Sequence, residues 1–140
     1  MPIQLTIVTP EGVRFEGPVD RVVVPGTEGD FGVLPGHERF LSPIQIGELE
    51  LEVTGANGRW AADSDGFAEV AGDKVLLMVD TSEFAGDIDT ARAERARSRA
   101  QHEIELLRAR AQEDRDYRLT EGALQRALIR IQVAAKHHAI

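Results

Sequence analysis

The 140-residue chain has no cysteine, which excludes disulfides and thiolate metal sites and fits a reducing compartment. No apolar run approaches the roughly 20 residues needed to span a bilayer, and the first residues lack the charged and apolar regions of a signal peptide. The net charge of −8 opposes bulk nucleic-acid binding, because a phosphate backbone would be repelled. We therefore expect a cytosolic protein with no nucleic-acid partner.

The sequence also lacks the residue constellations that carry catalysis. No Ser-His-Asp or Cys-His arrangement can be placed, and the many carboxylates are typical of a solvated acidic face. Four closely spaced glycines at 26, 29, 32 and 36 are followed neither by Lys-Ser/Thr nor by a helix, so they do not form a phosphate loop. His37 has no second histidine nearby, and we expect His137 and His138 to be solvated. We predict no catalytic residue and no metal site.

What is present first is a series of short alternating segments. Ile3, Leu5 and Ile7 alternate with neighbours on the other face, and 48–53 alternates glutamates with Leu49, Leu51 and Val53. Turn signals separate such segments, including Asn57-Gly58, and Gly17-Pro18 is predicted to separate two short strands. These features predict an antiparallel β-sandwich or barrel over residues 1–82.

From Ser82 onward the apolar period becomes helical. A mostly alanine stripe predicts a first helix with Asp87 as N-cap and Asp89 in its first turn. A polar break at 112–116 precedes a second helix, which runs from about 117 or 120 to 136. The stripe of the first helix is Ala93, Ala96, Ala100, Ile104, Leu107 and Ala111; the apolar side of the second is Leu124, Ala127, Leu128, Ile131 and 133–135.

These two helices predict an antiparallel hairpin over residues 83–140, and the whole chain is then of the α+β class. A two-helix hairpin of this composition is thin for independent stability, so we expect its docked position to depend on the sandwich or on a partner. Charge differs between the two parts as well. Residues 1–82 carry five basic and fourteen acidic residues, a net charge of −9, whereas residues 83–140 carry eleven and ten, a net charge of +1.

The stretch 22–42 has the composition of a shaped loop. Its four glycines and two prolines specify a defined path, and Phe31, Val33 and Leu34 are spaced to anchor it on a core. Glu28, Asp30 and His37 would then face outward. We interpret this stretch as an acidic docking surface.

Five segments together resemble the epsilon subunit of F-type ATP synthase, over essentially the whole chain. They are VPGTEGDFGVLPGH at 24–37, LS at 41–42, GFAEV at 66–70, IDTARA at 88–93 and LQRALIRI at 124–131. Two departures are Arg39, where the family commonly has proline, and Asp65-Gly66, where it has a glycine pair. Arg39 bears on the shape of the docking loop.

The resemblance implies a non-catalytic rotor-stalk subunit at the cytoplasmic face of a bacterial plasma membrane, reaching the membrane only through its complex. Its sandwich would couple the gamma subunit to the c-ring, with Glu28, Asp30 and His37 facing the ring. Alternatively, Asp30 stabilises a turn. The hairpin would be regulatory, and when extended it would restrain ATP hydrolysis through contacts of Arg126, Arg130 and Lys136 with a catalytic beta subunit; the alternative is a solvated basic stripe.

The resemblance also implies a nucleotide site on the folded hairpin. No cofactor is required, but ATP would be a regulatory ligand of Glu83, Asp89, Arg92, Arg126 and Arg130. Alternatively, Asp89 and Arg92 form a helix-surface pair that caps the hairpin. Two other functions compete with the rotor subunit: a free-standing nucleotide-sensing or adaptor module, and a small β-sandwich enzyme for which no catalytic constellation is found.

Overall fold

The computed structural model describes residues 2–53, 58–110 and 114–139, with backbone alone at 37, 38, 109, 110, 114–116 and 137–139. The predicted turn at Asn57, the stripe residue Ala111 and the first part of the predicted break at 112–116 lie outside the described residues. The side chains of His137 and His138 do as well, so their solvation stays a prediction.

Ten β-strands precede two α-helices, and the predicted α+β class is confirmed. The strands are β1 Ile3–Thr9, β2 Gly12–Val19, β3 Arg21–Gly26, β4 Gly29–Val33, β5 His37–Ile44, β6 Gly47–Glu52, β7 Arg59–Asp63, β8 Gly66–Gly72, β9 Lys74–Val79 and β10 Ser82–Phe84. A 3₁₀ turn at Ala85–Asp87 leads to α1 Thr90–Arg110 and α2 Asp114–Ala139. Strand β10 thus continues past the predicted domain boundary at residue 82.

The strands form one sheet that folds back on itself in two layers. The order is β10-β7-β6-β3-β5-β8-β9-β1-β2, with β4 paired to β3. Strands β3 and β5 share the pair Gly26 and Ile44, and the sheet passes from one layer to the other at this corner. Among the described pairs only β1 and β9 run parallel, an exception to the predicted antiparallel arrangement.

The core lies between the layers and follows the predicted alternation. Leu5 of β1 and Leu49 and Leu51 of β6 are fully buried, while the intervening Glu48 and Glu50 point outward. Each such burial contributes about 1.5–3 kcal/mol. Slipping β6 by one residue would move the glutamates into the core, so this alternation fixes the register.

Aromatic side chains join the two ends of the sheet. The Phe15 ring of β2 lies 6.0 Å from the Phe84 ring of β10, centroid to centroid. The guanidinium of Arg59 sits over both rings, at 5.7 Å and 4.2 Å. The edge strands are therefore held together by packing where no ladder of hydrogen bonds joins them, and the sandwich is nearly closed.

Two predictions about the strands are wrong. Gly17-Pro18 does not interrupt a strand, because β2 runs through both residues to Val19 and the break falls at Asp20. Strand β2 is the last in the sheet order, so the missing N–H of Pro18 faces the side with no neighbouring strand. Leu34 does not anchor its loop: it is 56% exposed, whereas Val33 is buried.

The start of α1 also differs from the prediction. Residues 82–87 form β10 and the 3₁₀ turn, and the helix begins at Thr90. Asp89 is the N-cap, since its Oδ1 accepts a 3.0 Å hydrogen bond from the N–H of Arg92. The predicted cap Asp87 lies in the turn, two residues too early to reach the orphan donors of the helix.

The two helices pack side by side and antiparallel, as predicted. Near the loop between them Arg108 Nη2 donates to the Tyr117 hydroxyl at 2.8 Å. The described part of the α1 stripe faces α2: Ala93, Ala100 and Ile104 are buried, and Ala96 and Leu107 half-buried.

Helix α2 is buried on two sides, against α1 and against the sandwich. Ala127, Val133 and Ala134 are buried, but Leu128 is 44% exposed and Ala135 is exposed, so the predicted apolar side is wrong for these two residues. The reason is that the side of α2 that packs on the sandwich includes Ile129, which was not predicted, together with the predicted Val133 and Ala134.

Candidate functional site

The interface between α2 and the sandwich decides where the hairpin lies. Its apolar part, called here the docking cluster, consists of Trp60, Ala62, Ala85, Ile88, Ile129, Val133 and Ala134. Val133 has no exposed surface, and Ala62 of β7 is 5% exposed. The hairpin is therefore seated on β7 and the 3₁₀ turn through an apolar contact of a few side chains.

Two sets of polar contacts flank the docking cluster. Arg130 Nε donates to Glu83 Oε1 of β10 at 2.7 Å. At the other end Glu48 of β6 accepts from Gln132 Nε2 at 2.5 Å and from Lys136 Nζ at 2.7 Å. Two of the three cations predicted to contact a beta subunit are thus paired with carboxylates of their own chain.

The third predicted beta-subunit contact, Arg126, lies apart from these pairs. Its Nη1 is 3.3 Å from where a Cβ on Gly122 would stand, so it lies along the helix surface one turn back. With the side chains that the structure describes, Arg126 forms no ion pair. The three cations do not form one stripe on α2. Arg126 and Arg130 are four residues apart and lie on the same side of the helix, whereas the rotation per residue places Lys136 on a different side.

The predicted nucleotide residues line a cavity of about 290 Å³ between β10, the 3₁₀ turn and the two helices, with one exception. Glu83, Asp89, Arg92 and Arg130 border it and Arg126 does not. The lining is completed by Asp87, Ala93, Ala96 and Arg99. Sequence reasoning missed Arg99, although it stands seven residues after Arg92 and therefore on the same helix face.

The charges of this arginine cavity are balanced as it stands. Three guanidinium groups, those of Arg92, Arg99 and Arg130, face three carboxylates. Asp89 caps α1 by accepting a hydrogen bond from the backbone N–H of Arg92. The described ion pairs do not include the predicted pair between the Asp89 and Arg92 side chains. An anion entering the cavity would compete with Glu83 for Arg130.

A larger cavity of about 530 Å³ shares the same wall. Glu83, Asp87, Arg92 and Arg130 line both, and the larger one reaches to Arg14 near the start of β2. The base of the hairpin therefore borders two cavities. A polyphosphate bound to Arg130 and Arg92 would have room to extend into the smaller or the larger one.

The predicted c-ring contacts lie at two ends of the sandwich. Glu28 is at the tip of the β3–β4 hairpin and Asp30 pairs with Pro25 beside it, both exposed. This tip meets the end of β5, where the N–H of Thr27 donates to the Pro43 carbonyl. His37 begins β5, roughly 20 Å away at about 3.3 Å per residue. The structure therefore does not bring His37 together with Glu28 and Asp30.

Positive φ angles at two glycines give the predicted loop its path. Gly29, with φ 123°, turns the chain between β3 and β4, and Gly36, with φ 79°, turns it before β5. The Gly36 N–H donates to Asp73 Oδ1 at 3.1 Å, and Phe31 packs edge-on against Phe40 at 5.4 Å. The loop is shaped and anchored as expected, through Phe31 and Val33.

An exposed apolar patch covers the outer face of β5, β8 and β9. Leu41 is 65% exposed, Phe67 51% and Met78 43%. Phe67 is directly opposite Pro43 on one side and Met78 on the other, so these side chains share one face. We call Leu41, Pro43, Phe67 and Met78 the sandwich patch; sequence reasoning missed it because its members are distant in the chain.

The remaining predictions concern absences. In the described ranges no group of three or more histidine, aspartate or glutamate side chains could hold a metal ion. Neither described helix is long and apolar enough to cross a membrane.

Comparison with known proteins accounts for both parts of this architecture. Residues 2–85 match the family model described as ATP synthase, Delta/Epsilon chain, beta-sandwich domain, and residues 87–135 match the long alpha-helix domain of the same chains. The chain therefore belongs to the ATP synthase delta/epsilon chain family, as an accessory subunit of the epsilon type. The resemblance predicted from the sequence is confirmed.

Curated relatives cover nearly the whole chain. An ATP synthase epsilon chain of Geotalea uraniireducens is 42% identical over 134 residues, 96% of this chain and 94% of the relative. One of Syntrophobacter fumaroxidans is likewise 42% identical, over 96% of each chain.

Solved structures share the fold at lower identity. A chain in the mitochondrial ATP synthase of Euglena gracilis, solved with OSCP, F1 and c-ring, has a TM-score of 0.76 and 23% identity and covers 99% of this chain and 82% of its own. A chain in the central stalk and c-ring of the Tetrahymena thermophila enzyme has a TM-score of 0.51 and 15% identity, over 64% of this chain and 71% of its own.

Proposed function

We propose that the chain is a non-catalytic rotor subunit of a proton-translocating F-type ATP synthase, which couples the gamma subunit to the c-ring. The observation that carries this proposal, beyond family membership, is the sandwich patch. Apolar side chains contiguous across three strands and exposed on a folded domain are typical of a protein interface. We assign the patch to the gamma subunit.

The c-ring contact would lie at the β3–β4 tip. Glu28 and Asp30 are exposed there, and Asp30 makes no side-chain hydrogen bond to a described residue, which favours an outward role over turn stabilisation. Replacing Asp30 with Arg should impair rotor assembly and proton-coupled synthesis. Unchanged assembly and synthesis would remove Asp30 from the contact. His37, at the other end of β5, serves as the comparison position.

Within the complex the hairpin would regulate hydrolysis. In the folded position Arg130 and Lys136 are held by the sandwich; in an extended position these cations, together with Arg126, would meet an acidic segment of a catalytic beta subunit. Each exposed pair is worth about 0–1 kcal/mol, so several must act together. Truncation after Asp87 should leave assembly intact and release hydrolysis. Hydrolysis equal to that of the full-length chain would contradict inhibition.

A second function, supported by the arginine cavity, is binding of ATP as a regulatory ligand. Arg92, Arg99 and Arg130 converge on a space of about 290 Å³ and could form bidentate bonds with a polyphosphate. The cavity is formed by α1, α2 and β10 together, so it exists only when the hairpin is folded. Nucleotide binding would therefore stabilise the folded position over the extended one. Calorimetric titration of the isolated chain tests it: no heat at millimolar ATP would eliminate the ligand, and Arg92→Met is the matched loss variant.

Co-purification separates the rotor subunit from a free-standing nucleotide-sensing or adaptor module. The rotor proposal requires capture of a gamma subunit and recovery at the cytoplasmic face of a bacterial plasma membrane as a peripheral component. A chain recovered alone, in the soluble fraction, would support the module.

A further inference from the structure

We propose that Glu48 is a latch that holds the hairpin in its folded position by binding the cation that the extended hairpin would otherwise present to a partner. The proposal rests on the regulatory part of the proposed function and adds which residue of the sandwich sets the folded population. Glu48 lies in β6, opposite Ala62 of β7, and Glu83 of the arginine cavity lies on the other side of Ala62. Glu48 itself does not line that cavity, so the latch is tested without nucleotide.

The geometry of the latch uses both oxygens of one carboxylate. Oε1 accepts from Gln132 at 2.5 Å and Oε2 accepts from Lys136 at 2.7 Å. Gln132 and Lys136 are four residues apart, so they project from one face of α2 onto the same residue of the sheet. A carboxylate bound at both oxygens by two consecutive turns of a helix fixes the position of that helix more than a single pair could.

The surroundings strengthen these contacts. The Glu48 side chain is 21% exposed and that of Lys136 37%, so the pair is partly withdrawn from water. The Lys136 ammonium also lies 5.5 Å from the centre of the Trp60 ring, a cation–π contact with a member of the docking cluster. Undocking α2 breaks the ion pair, the amide hydrogen bond and the ring contact together.

The latch competes with the partner for the same group. Lys136 cannot bind Glu48 and an external carboxylate at the same time, so the strength of the Glu48 contacts enters directly into the ratio of folded to extended chains. The neighbouring Glu50 is a natural control. It points out of the same strand two residues later, opposite Trp60, and its carboxylate lies 3.7 Å from Arg21 Nη2. No hydrogen bond or ion pair joins it to a described side chain of α2.

The docked fraction can be measured on the isolated full chain without cofactor. The chain has one tryptophan, Trp60, and no cysteine. When tryptophan is excited selectively over Tyr117, a single fluorophore on Leu128→Cys, at an exposed position of α2, therefore accepts energy from Trp60 alone. Transfer efficiency, followed through a urea series that spans undocking, gives the folded-to-extended ratio for each variant on the same labelled background.

We expect Glu48→Lys to lower the folded-to-extended ratio by about tenfold or more, equivalent to ~1.4 kcal/mol of lost interaction. Glu50→Lys, which makes the same charge change on the same strand, should alter it less than about twofold. The double variant Glu48→Lys with Lys136→Glu should restore most of the ratio. Equal effects of the two single variants, or no rescue by the double variant, would overturn the latch. The β-strand signal in far-ultraviolet circular dichroism confirms that the sandwich of each variant is folded.

Failure of the latch and failure of the proposed function are distinguishable. Hydrolysis is measured in the reconstituted complex, and docking on the isolated chain. If Glu48→Lys undocks the hairpin but hydrolysis stays unchanged, the latch stands and the inhibitory role falls. If docking is unchanged while hydrolysis falls, the latch is overturned and inhibition retained.

Discussion

Asp63 and Ser82 form a buried hydrogen bond, in which the Ser82 hydroxyl donates to Asp63 Oδ1 at 2.7 Å across the β7–β10 pair. Asp63 Oδ2 is also buried and has no partner among the described residues. Strand β7 carries Trp60 and Ala62 of the docking cluster, and β10 leads into the hairpin. The bond therefore joins the platform on which α2 sits to the segment from which the hairpin starts.

Burial raises the pKa of Asp63 from its ordinary 3.8 to about 7, against the opposing effect of the Ser82 hydrogen bond. From pH about 4 to about 7 the unfolded chain ionises Asp63 while the folded chain keeps it protonated. The free energy of unfolding should therefore fall as pH rises through this window, by up to about 1.4 kcal/mol per pH unit from this group, and level off above it.

Asp63→Asn tests this dependence, because the amide cannot ionise. Urea unfolding from pH 4 to pH 8 should show a smaller decline for the variant, which should be the more stable of the two proteins at pH 8. Asp65→Asn, at an exposed position two residues later, is the control and should keep the wild-type slope. Parallel curves for wild type and Asp63→Asn would contradict a raised pKa.

The cap of α1 gives a second prediction, which also distinguishes two neighbouring aspartates. Asp89→Ala removes the acceptor of the Arg92 N–H and should lower the free energy of unfolding by about 1 kcal/mol. Asp87→Ala removes an exposed carboxylate of the 3₁₀ turn and should cost less than half of that. Urea unfolding monitored by helical circular dichroism measures both, and a larger loss from Asp87→Ala would show that the cap has been misplaced.

Which features could be predicted from the sequence depends on how far apart in the chain the interacting residues are. Alternation placed Leu49 and Leu51 in the core, because local period and burial agree along a strand. The Glu48–Lys136 pair joins residues 88 positions apart, and no local pattern indicates it. Contacts of the same long range decide which side of α2 faces the sandwich. The local helical period does not contain this information, and it therefore placed the exposed Leu128 on the apolar side.

The docking cluster yields a third prediction, which compares a small buried side chain with a larger exposed one. Burial predicts the greater loss of stability for the first, and side-chain size predicts it for the second. Val133→Ala deletes two methyl groups at a fully buried position and should destabilise the docked hairpin by about 1–2.5 kcal/mol. Leu128→Ala deletes more carbon but at a position 44% exposed, and should cost less than about 1 kcal/mol.

Emission of Trp60, which packs in the docking cluster, reports the loss of docking. We expect it to shift to longer wavelength at a lower urea concentration in Val133→Ala than in Leu128→Ala. The reverse order would mean that α2 docks through its other face in solution.

The sandwich patch gives the last prediction, which concerns partner binding and not stability. Phe67→Asp places a charge in the middle of the patch, between Pro43 and Met78. Because Phe67 is 51% exposed, the substitution should change the free energy of unfolding by less than about 1 kcal/mol. Binding to the gamma subunit should nevertheless weaken about 100-fold, since a carboxylate buried at an interface without a partner costs several kcal/mol.

Leu119→Asp is the matched control, because Leu119 is 63% exposed but lies on α2, away from the sandwich. It makes the same chemical change at similar exposure. Titration of purified gamma subunit with each variant, followed by calorimetry, should separate them: Leu119→Asp should bind as the wild type does. Equal affinity of Phe67→Asp and wild type would assign the patch to another partner, whereas equal weakening by both variants would point to a general effect of added negative charge on a chain whose net charge is already −8.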